Sequence, residues 1–140
     1  MAAMESSLVL IKPDAVRNGQ AGEIISRLEK LGLGMVALKM LRLDKDLAEK
    51  HYAVHKEKPF FGELVAYMTS APVVAAVFSG NDAVARIRQV MGATDPSRAD
   101  AGTIRADFGL DVTRNAVHGS DAVETAEKEI RLFFTEEEIF

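Results

Sequence analysis

The sequence predicts an α+β domain of the ferredoxin-like type, a βαββαβ sandwich with an antiparallel four-stranded sheet and an added helical hairpin. Segments rich in β-forming residues alternate with segments of helical periodicity in that order. An extra pair of helix-like segments stands between the second and third strands. The chain has 140 residues, 48% of them apolar, which suits a single domain over residues 1–140.

The first half of the chain supplies two strands and one helix. Residues 7–12 are rich in β-formers and stop before a Pro-Asp pair, so we predict the first strand there. Apolar residues then recur at helical spacing over 24–31, and Gly32 and Gly34 end this helix. Residues 35–43 alternate well enough between apolar and polar side chains to predict the second strand.

The helical hairpin and the third strand follow. Residues 44–55 show helical spacing with Asp44 as the cap, and a short helix opens at the Pro-Phe-Phe-Gly stretch 59–62. The continuous apolar run 72–78 is typical of a buried strand. A further helix is predicted over 83–91.

The last third of the chain begins with residues 92–113, which show no convincing periodicity. A loop of that length inside a small domain is usually functional or disordered. Residues 116–118 form a short predicted strand. The last helix is expected to begin at Asp121, whose spacing to Glu124 fits a capping box, with Ser120 as the alternative cap.

Charge and composition argue against several functional classes. The chain has 17 basic and 21 acidic residues, a net charge of −4 and a pI near 5.4, so it lacks the basic field that nucleic-acid binding requires. With no cysteine it has no thiolate chemistry and suits a reducing compartment. Its apolar runs are too short for a signal peptide or a membrane span. We therefore expect a cytoplasmic protein that binds neither membranes nor nucleic acid.

The stretch NAVHGSD, residues 115–121, places a histidine where the last strand ends and the last helix begins. A helix N-terminus attracts anions, and Gly119 would let a bulky group approach the backbone. Because the reference pKa of imidazole is about 6.5, His118 could act as a nucleophile near neutral pH, with Glu129 as a catalytic partner that orients its second nitrogen. Taken singly, such a histidine is more often a core residue, and such a glutamate a solvated one.

A bound nucleotide would need side chains to hold its phosphates, because the sequence contains neither GxxxxGK[ST] nor GxGxxG. The candidate cations near predicted element ends are Lys12, Arg88, Arg105 and Arg114, and the candidate hydroxyl donors are Thr94 and Thr103. Arginine suits this role because its guanidinium group binds two phosphate oxygens at once. Each of these residues, taken alone, is equally compatible with an ordinary surface position.

The other histidines and aromatic residues support weaker hypotheses. His51 and His55 stand four residues apart on a predicted helix, which is a possible metal spacing, but no third ligand is evident. Tyr52 and Phe60 could form an aromatic platform for a base, although a phenylalanine after proline is more often core. We assign Phe61 to the core.

Six stretches in register resemble the nucleoside diphosphate kinase family along nearly the whole chain. They are IKPDAV (11–16), GEII (22–25), HYAVHKEKPFFGELVAYMTSAPVV (51–74), GATDP (92–96), AGTIRADF (101–108) and NAVHGSD (115–121). The resemblance implies transfer of the γ-phosphoryl group from a nucleoside triphosphate, typically ATP, to a nucleoside diphosphate. The group would travel in a ping-pong cycle as a phosphohistidine on His118.

The resemblance also implies how the nucleotide is held. Lys12 and Asn115 would bind the sugar 3′-hydroxyl, with Lys12 also reaching the transferring phosphate and Tyr52 lying close to His118. The β and γ phosphates would be bound by Arg88, Thr94 and Arg105. Phe60 and Val112 would cover the two faces of the base, so purines and pyrimidines on ribose or deoxyribose should all be accepted.

The remaining implications concern metal and assembly. Mg²⁺ would be carried mainly by the nucleotide phosphates, with Asp121 as its protein neighbour through water. The expected assembly is a homotetramer or a homohexamer. Two departures from the family pattern are Ala101, where many relatives have proline before Gly102, and Ala106, where glycine is frequent. The alternative to an enzyme is a nucleotide-binding module on the same fold that has lost turnover.

Overall fold

The computed structural model of this protein describes residues 4–140. Its elements, in chain order, are β1 (Met4–Ile11), α1 (Pro13–Arg17), α2 (Ala21–Glu29), β2 (Gly34–Leu41), α3 (Lys45–His51), α4 (Phe61–Met68), β3 (Val73–Asn81), α5 (Ala83–Met91), α6 (Ile104–Phe108), β4 (Val117–Gly119) and α7 (Val123–Phe133). Short 3₁₀ turns lie at Ala53–His55, Pro96–Arg98 and Glu136–Glu138. The predicted α+β ferredoxin-like fold with its helical hairpin is confirmed.

The strands form an antiparallel four-stranded sheet in the order β2-β3-β1-β4. Strand β1 lies inside the sheet, where Leu8 pairs with Val77 on one side and Leu10 pairs with His118 on the other. The register with β1 fixes the position of β4, which has only three residues of its own. The long central strand therefore determines where His118 stands.

Two hydrophobic cores cover the two faces of the sheet. Side chains of a strand alternate between faces, so Leu8 and Leu10 enter the core beneath α3, α4 and α7. Val9 and Ile11 enter the other core, beneath α1, α2 and α5. All four side chains are at most 1% exposed, which explains why this strand is an unbroken apolar run in the sequence.

The hairpin differs from its prediction at one point. Asp44 caps α3 as expected, because its carboxylate accepts a hydrogen bond from the Leu47 N–H at 2.8 Å. The predicted helix 44–55 is wrong beyond His51, because Tyr52 leaves the helical conformation with φ −100° and ψ 19°. The chain then continues as a 3₁₀ turn, so the i, i+4 helical geometry proposed for His51 and His55 is not present.

Two further expectations in the last third of the chain need correction. The stretch 92–113 contains helix α6, capped by the Thr103 hydroxyl, and five helical residues are too few to show periodicity. Helix α7 begins at Val123 rather than at Asp121, because the backbone is still extended at Ala122 with φ −154°. No side chain caps α7, and the Ser120 hydroxyl has other partners described below.

None of the helices within residues 4–140 combines the length and the apolar character that a membrane crossing requires.

Candidate active site

His118 stands on β4 at the edge of a cleft of about 750 Å³. The cleft is lined by Lys12, Lys50, His51, Tyr52, Ala53, Val54, His55, Phe60, Leu64, Arg88, Thr94, Arg105, Val112, Thr113, Asn115, His118, Gly119, Asp121, Thr125, Lys128, Glu129 and Leu132. The structure thus brings every predicted catalytic, nucleotide-binding and metal residue to one place. Of the other two candidates, Arg114 is paired with Asp111 at 2.7 Å, and Thr103 caps α6.

A buried network holds the His118 ring. Its Nε2 lies 3.0 Å from Glu129 Oε2, and the Ser120 hydroxyl donates to Glu129 Oε1 at 2.6 Å. Ser120 in turn accepts the Leu8 N–H at 3.0 Å, so this network is tied to the central strand. An ionised carboxylate only accepts hydrogen bonds, so Nε2 carries the proton and Nδ1 keeps the lone pair of the neutral ring.

Glu129 reaches this network from α7, which begins at Val123. The residue is 6% exposed. Burial alone would raise the pKa of its carboxyl, yet the hydrogen bonds from His118 and Ser120 lower it overall. Glu129 is therefore ionised near neutral pH and contacts His118, the contact that the sequence analysis expected of it. Ser120, which the sequence offered as an alternative helix cap, belongs to this network instead.

Lys12 follows β1 directly and is almost fully buried. Its ammonium group donates to Asn115 Oδ1 at 2.8 Å and to the Thr113 carbonyl at 3.3 Å. Burial, and after it the positive charge of Arg105, lowers the pKa of Lys12 to about 8. Asn115 donates to the Thr94 carbonyl at 2.9 Å, so one hydrogen-bonded chain joins three predicted site residues.

Arg105 extends from α6 toward β4. Its guanidinium donates to the Val117 carbonyl at 2.8 Å and to the Gly92 carbonyl at 3.1 Å. Burial, followed by the positive charge of Arg88, lowers the pKa of Arg105 to about 10. The group remains cationic at neutral pH, so a buried Arg105 and an exposed Arg88 place two like charges beside one another. Such a pair is stabilised when an anion binds between them.

The turn into β4 is held by a residue that the sequence reasoning did not assign. Ala116 has a positive φ of 74°, which is rare for a residue other than glycine. Its N–H donates to Asp14 Oδ2 at 3.0 Å, and the Tyr67 hydroxyl donates to Asp14 Oδ1 at 2.6 Å. The Pro-Asp pair after the first strand was the signal available in the sequence, since it places a carboxylate at the edge of the sheet.

The outer part of the cleft is formed by exposed side chains on separate loops. Phe60 is 45% exposed and Val112 is 59% exposed, and both line the cleft. Exposed apolar side chains at a cleft mouth suit a flat apolar ligand group. Thr94 and Asp121 are also exposed there. Phe61, by contrast, packs against the core as expected.

The two histidines of the predicted hairpin point to different surroundings. The His51 ring meets the His118 ring edge-on at 4.6 Å between centroids, whereas the His55 ring lies against Phe60 at 5.5 Å. Burial, together with His118, lowers the pKa of His51 to about 3, so its ring is neutral. Tyr52 is buried beside His51, and burial raises the pKa of its hydroxyl.

Gly119 has a different role from the one predicted. A Cβ at this position would lie 2.5 Å from Met91 Sδ and 3.3 Å from Ile87 Cγ2. The close approach that glycine permits is therefore that of helix α5 to strand β4. The expectation that Gly119 makes room for a ligand beside the first turn of α7 is not supported by this packing.

These features define a class of protein. An imidazole with one nitrogen fixed by a carboxylate, in a cleft that also contains buried cations, has the composition of a phosphotransferase site. The family is shown by comparison: the family model described as "Nucleoside diphosphate kinase" matches residues 5–139. The chain therefore belongs to the nucleoside diphosphate kinase family, whose members are phosphotransferases.

Relatives and solved structures agree with this assignment. A nucleoside diphosphate kinase of Dehalococcoides mccartyi is 55% identical over 136 residues, which cover 97% of this chain and 96% of the relative. The structure of the Aquifex aeolicus nucleoside diphosphate kinase matches with a TM-score of 0.96 at 44% identity, over 99% of this chain and 100% of the other. A Halobacterium salinarum nucleoside diphosphate kinase in complex with CDP matches with a TM-score of 0.95 at 48% identity, over 99% and 92% of the two chains.

Proposed function

We propose that His118 is the residue through which this nucleoside diphosphate kinase transfers the γ-phosphoryl group. The Nδ1 lone pair attacks the γ phosphorus of a nucleoside triphosphate, and the bond to the bridging oxygen breaks, so a nucleoside diphosphate leaves. In the second half of the cycle a β-phosphate oxygen of another nucleoside diphosphate attacks the same phosphorus and breaks the N–P bond. The Nε2 proton stays on the ring throughout and donates to Glu129.

The observation that carries this proposal is the contact of 3.0 Å between His118 Nε2 and Glu129 Oε2. It selects the tautomer in which Nδ1 is the nucleophile. It also places a carboxylate where positive charge develops on the ring as the N–P bond forms. Phosphoryl transfer depends mainly on positioning and charge neutralisation, and this network supplies both.

The charges around His118 support a nucleotide in one orientation. Arg88, Thr94 and Arg105 would bind the β and γ phosphates, because the two guanidinium groups already stand together in the cleft. Lys12 and Asn115 are hydrogen-bonded to each other. A sugar 3′-hydroxyl inserted there would accept from Lys12, which would also reach the transferring phosphate. Tyr52 packs beside His51 in the wall of the cleft.

The base would lie between Phe60 and Val112 at the cleft mouth. Stacking on an aromatic ring is possible for every base. Both residues are exposed and apolar, so we expect tolerance of any base on ribose or deoxyribose. The Halobacterium salinarum relative is in complex with CDP, so we expect this chain to accept a cytosine base as well.

Members of the family use a divalent cation, and we propose Mg²⁺ for this chain. Asp121 fits the role of its protein neighbour, because its exposed carboxylate lines the cleft near His118. Carboxylate oxygen and water are the ligands that Mg²⁺ prefers. When bound, Mg²⁺ neutralises charge on the β and γ phosphates, and Asp121 would hold it in place through water.

We further propose that residues 1–140 act as one domain that assembles into a homotetramer or homohexamer. Apolar side chains of β2, one of the two edge strands of the sheet, support self-association, since Met35, Leu38 and Met40 are between 39% and 63% exposed. Light scattering distinguishes the two assemblies and would reject both if the protein is monomeric. The cytoplasmic location stays a prediction.

Labelling with γ-³²P-ATP tests the function directly. We expect an acid-labile, alkali-stable label on the protein that CDP or GDP discharges. The label should be absent in His118→Ala and present in His55→Ala, a matched control because His55 lies in the same cleft but makes its ring contact with Phe60. A label that survives in His118→Ala would contradict the assignment. Tight ADP binding without any label would indicate a binding module instead.

A further inference from the structure

His51 is a buried polar side chain without a hydrogen-bond partner in residues 4–140. Its side chain is 0% exposed, and both of its ring nitrogens lack a partner. Nδ1 lies 3.5 Å from Glu129 Oε2, which is too long for an effective hydrogen bond, and the neutral ring cannot form an ion pair. Buried polar atoms are nearly always bonded, so an apolar side chain would fit this position better unless the nitrogen serves another purpose.

The neighbours of His51 indicate what its unpaired ring nitrogen could bind. His51, His118 and Glu129 each present one ligand atom, and these atoms all lie within 4.8 Å of one another. Glu129 Oε2 lies 3.0 Å from His118 Nε2 and 3.5 Å from His51 Nδ1. A tetrahedral Zn²⁺ with ligands at 2.0–2.1 Å separates each pair of ligand atoms by roughly 3.3 Å. The two distances to Glu129 bracket this value, whereas the His51–His118 pair lies only within 4.8 Å, so zinc binding would require the two rings to adjust around the carboxylate.

We propose that His51, His118 and Glu129 form an inhibitory zinc site. Two imidazoles and one carboxylate, with a fourth position left to water, are a ligand set that Zn²⁺ adopts in proteins. Mg²⁺ requires oxygen ligands in octahedral geometry, so this site would not compete for the ion that accompanies the nucleotide. The cluster lies at the wall of the cleft, which His51, His118 and Glu129 all line, and the His118 side chain is 22% exposed there.

Zinc in this position would change the tautomer of His118. The metal takes the Nε2 lone pair, so the ring proton moves to Nδ1 through solvent and the neutral ring keeps no lone pair there. Nδ1 then cannot attack phosphorus. Zinc binding to these three residues does not depend on the proposed function, whereas inhibition of phosphoryl transfer by zinc rests on it.

The test is a Zn²⁺ titration of metal-free full-length protein without nucleotide, in competition with a chromophoric chelator. We expect one Zn²⁺ per chain for the wild type. His51→Leu should weaken binding by more than about 100-fold, which is the upper end of the loss seen when only an outer partner of a ligand is removed. His55→Leu, which changes a histidine of the same cleft outside the cluster, should bind as the wild type does.

A second measurement uses the unaltered protein, so it stands even if His51→Leu fails to fold. Zinc should shift the ring NMR signals of His51 and His118 and leave those of His55 in place. The inference is overturned if the wild type binds no zinc, if His51→Leu binds equally well, or if only His55 responds. Zinc binding in a protein that forms no phosphohistidine would confirm the site and refute the proposed function. A phosphohistidine without zinc binding would do the opposite.

Discussion

Replacing Glu129 by glutamine removes one charge and leaves the shape of the buried network unchanged. The glutamine carbonyl can still accept from His118 Nε2, which lies 3.0 Å from the carboxylate in the native protein. Its amide group can donate to the Ser120 hydroxyl oxygen, which already accepts the Leu8 N–H. The variant therefore retains the tautomer that exposes the Nδ1 lone pair, and it isolates the contribution of the negative charge.

The expected magnitude follows from the difference between two kinds of hydrogen bond. A hydrogen bond to a charged group contributes about 1.5–3 kcal/mol, and one between neutral groups about 0.5–1.5 kcal/mol. The difference of about 1–1.5 kcal/mol applies where the His118 ring gains positive charge, which is during formation of the N–P bond. Since 1.36 kcal/mol corresponds to a factor of ten in rate, Glu129→Gln should phosphorylate His118 about tenfold more slowly.

The assay is a single-turnover measurement of labelling by γ-³²P-ATP in a quench-flow instrument. A radioactive readout is appropriate because the chain contains no tryptophan to report on the site. Glu127→Gln is the matched control, since Glu127 is exposed on the same helix α7 and carries the same charge. A wild-type rate in Glu129→Gln, or an equal loss in Glu127→Gln, would refute the view that the carboxylate acts through the His118 ring.

Two further predictions concern charge and the loop before α6. Because burial lowers the pKa of Lys12 to about 8, this side chain loses its charge as pH rises through that value, and kcat/KM should fall there. In Lys12→Arg the side chain stays cationic, so kcat/KM should not fall near pH 8. An identical decline in this variant would contradict the assignment of the decline to Lys12. Residues 100–103 form a turn in which the Thr103 N–H donates to the Asp100 carbonyl at 3.2 Å. Gly102 has a positive φ of 89°, as the third residue of a type II turn does, and such turns favour proline at the second residue, here Ala101. Ala101→Pro should therefore raise the free energy of unfolding by about 0.4–1 kcal/mol in urea denaturation, and a loss of stability would contradict this description of the turn.

The elements that the sequence predicted well are those whose signal is long. The apolar runs that became β1 and β3 need no knowledge of their partners, because burial on both faces makes the whole strand apolar. Helices α1 and α6 have five residues each and are too short for any periodic signal. The break after His51 depends on the backbone conformation of Tyr52, which nothing in the local sequence specifies.

The residues of the candidate site also differ in how far the local sequence could predict them. Each residue that the family resemblance supplied lines the cleft, and Glu129 was predicted from its place on the last helix. The residues that escaped prediction act through long-range contacts. Asp14 holds the Ala116 N–H from 102 positions away, and Ser120 binds the Leu8 N–H from 112 positions away. Such pairs become visible only when the register of the sheet is known.

The site divides into a rigid inner part and an exposed outer part, and this division explains how one enzyme could combine exact chemistry with a broad range of substrates. His118 and Lys12 are fixed by the central strand, because His118 pairs with Leu10 in the sheet and Lys12 directly follows β1. The positions that would touch the base, Phe60 and Val112, lie on loops. Chemistry requires atoms fixed within fractions of an ångström, whereas stacking requires only a flat surface. With the nucleotide bound as proposed, variation of the base would therefore leave the reacting phosphorus in the same place.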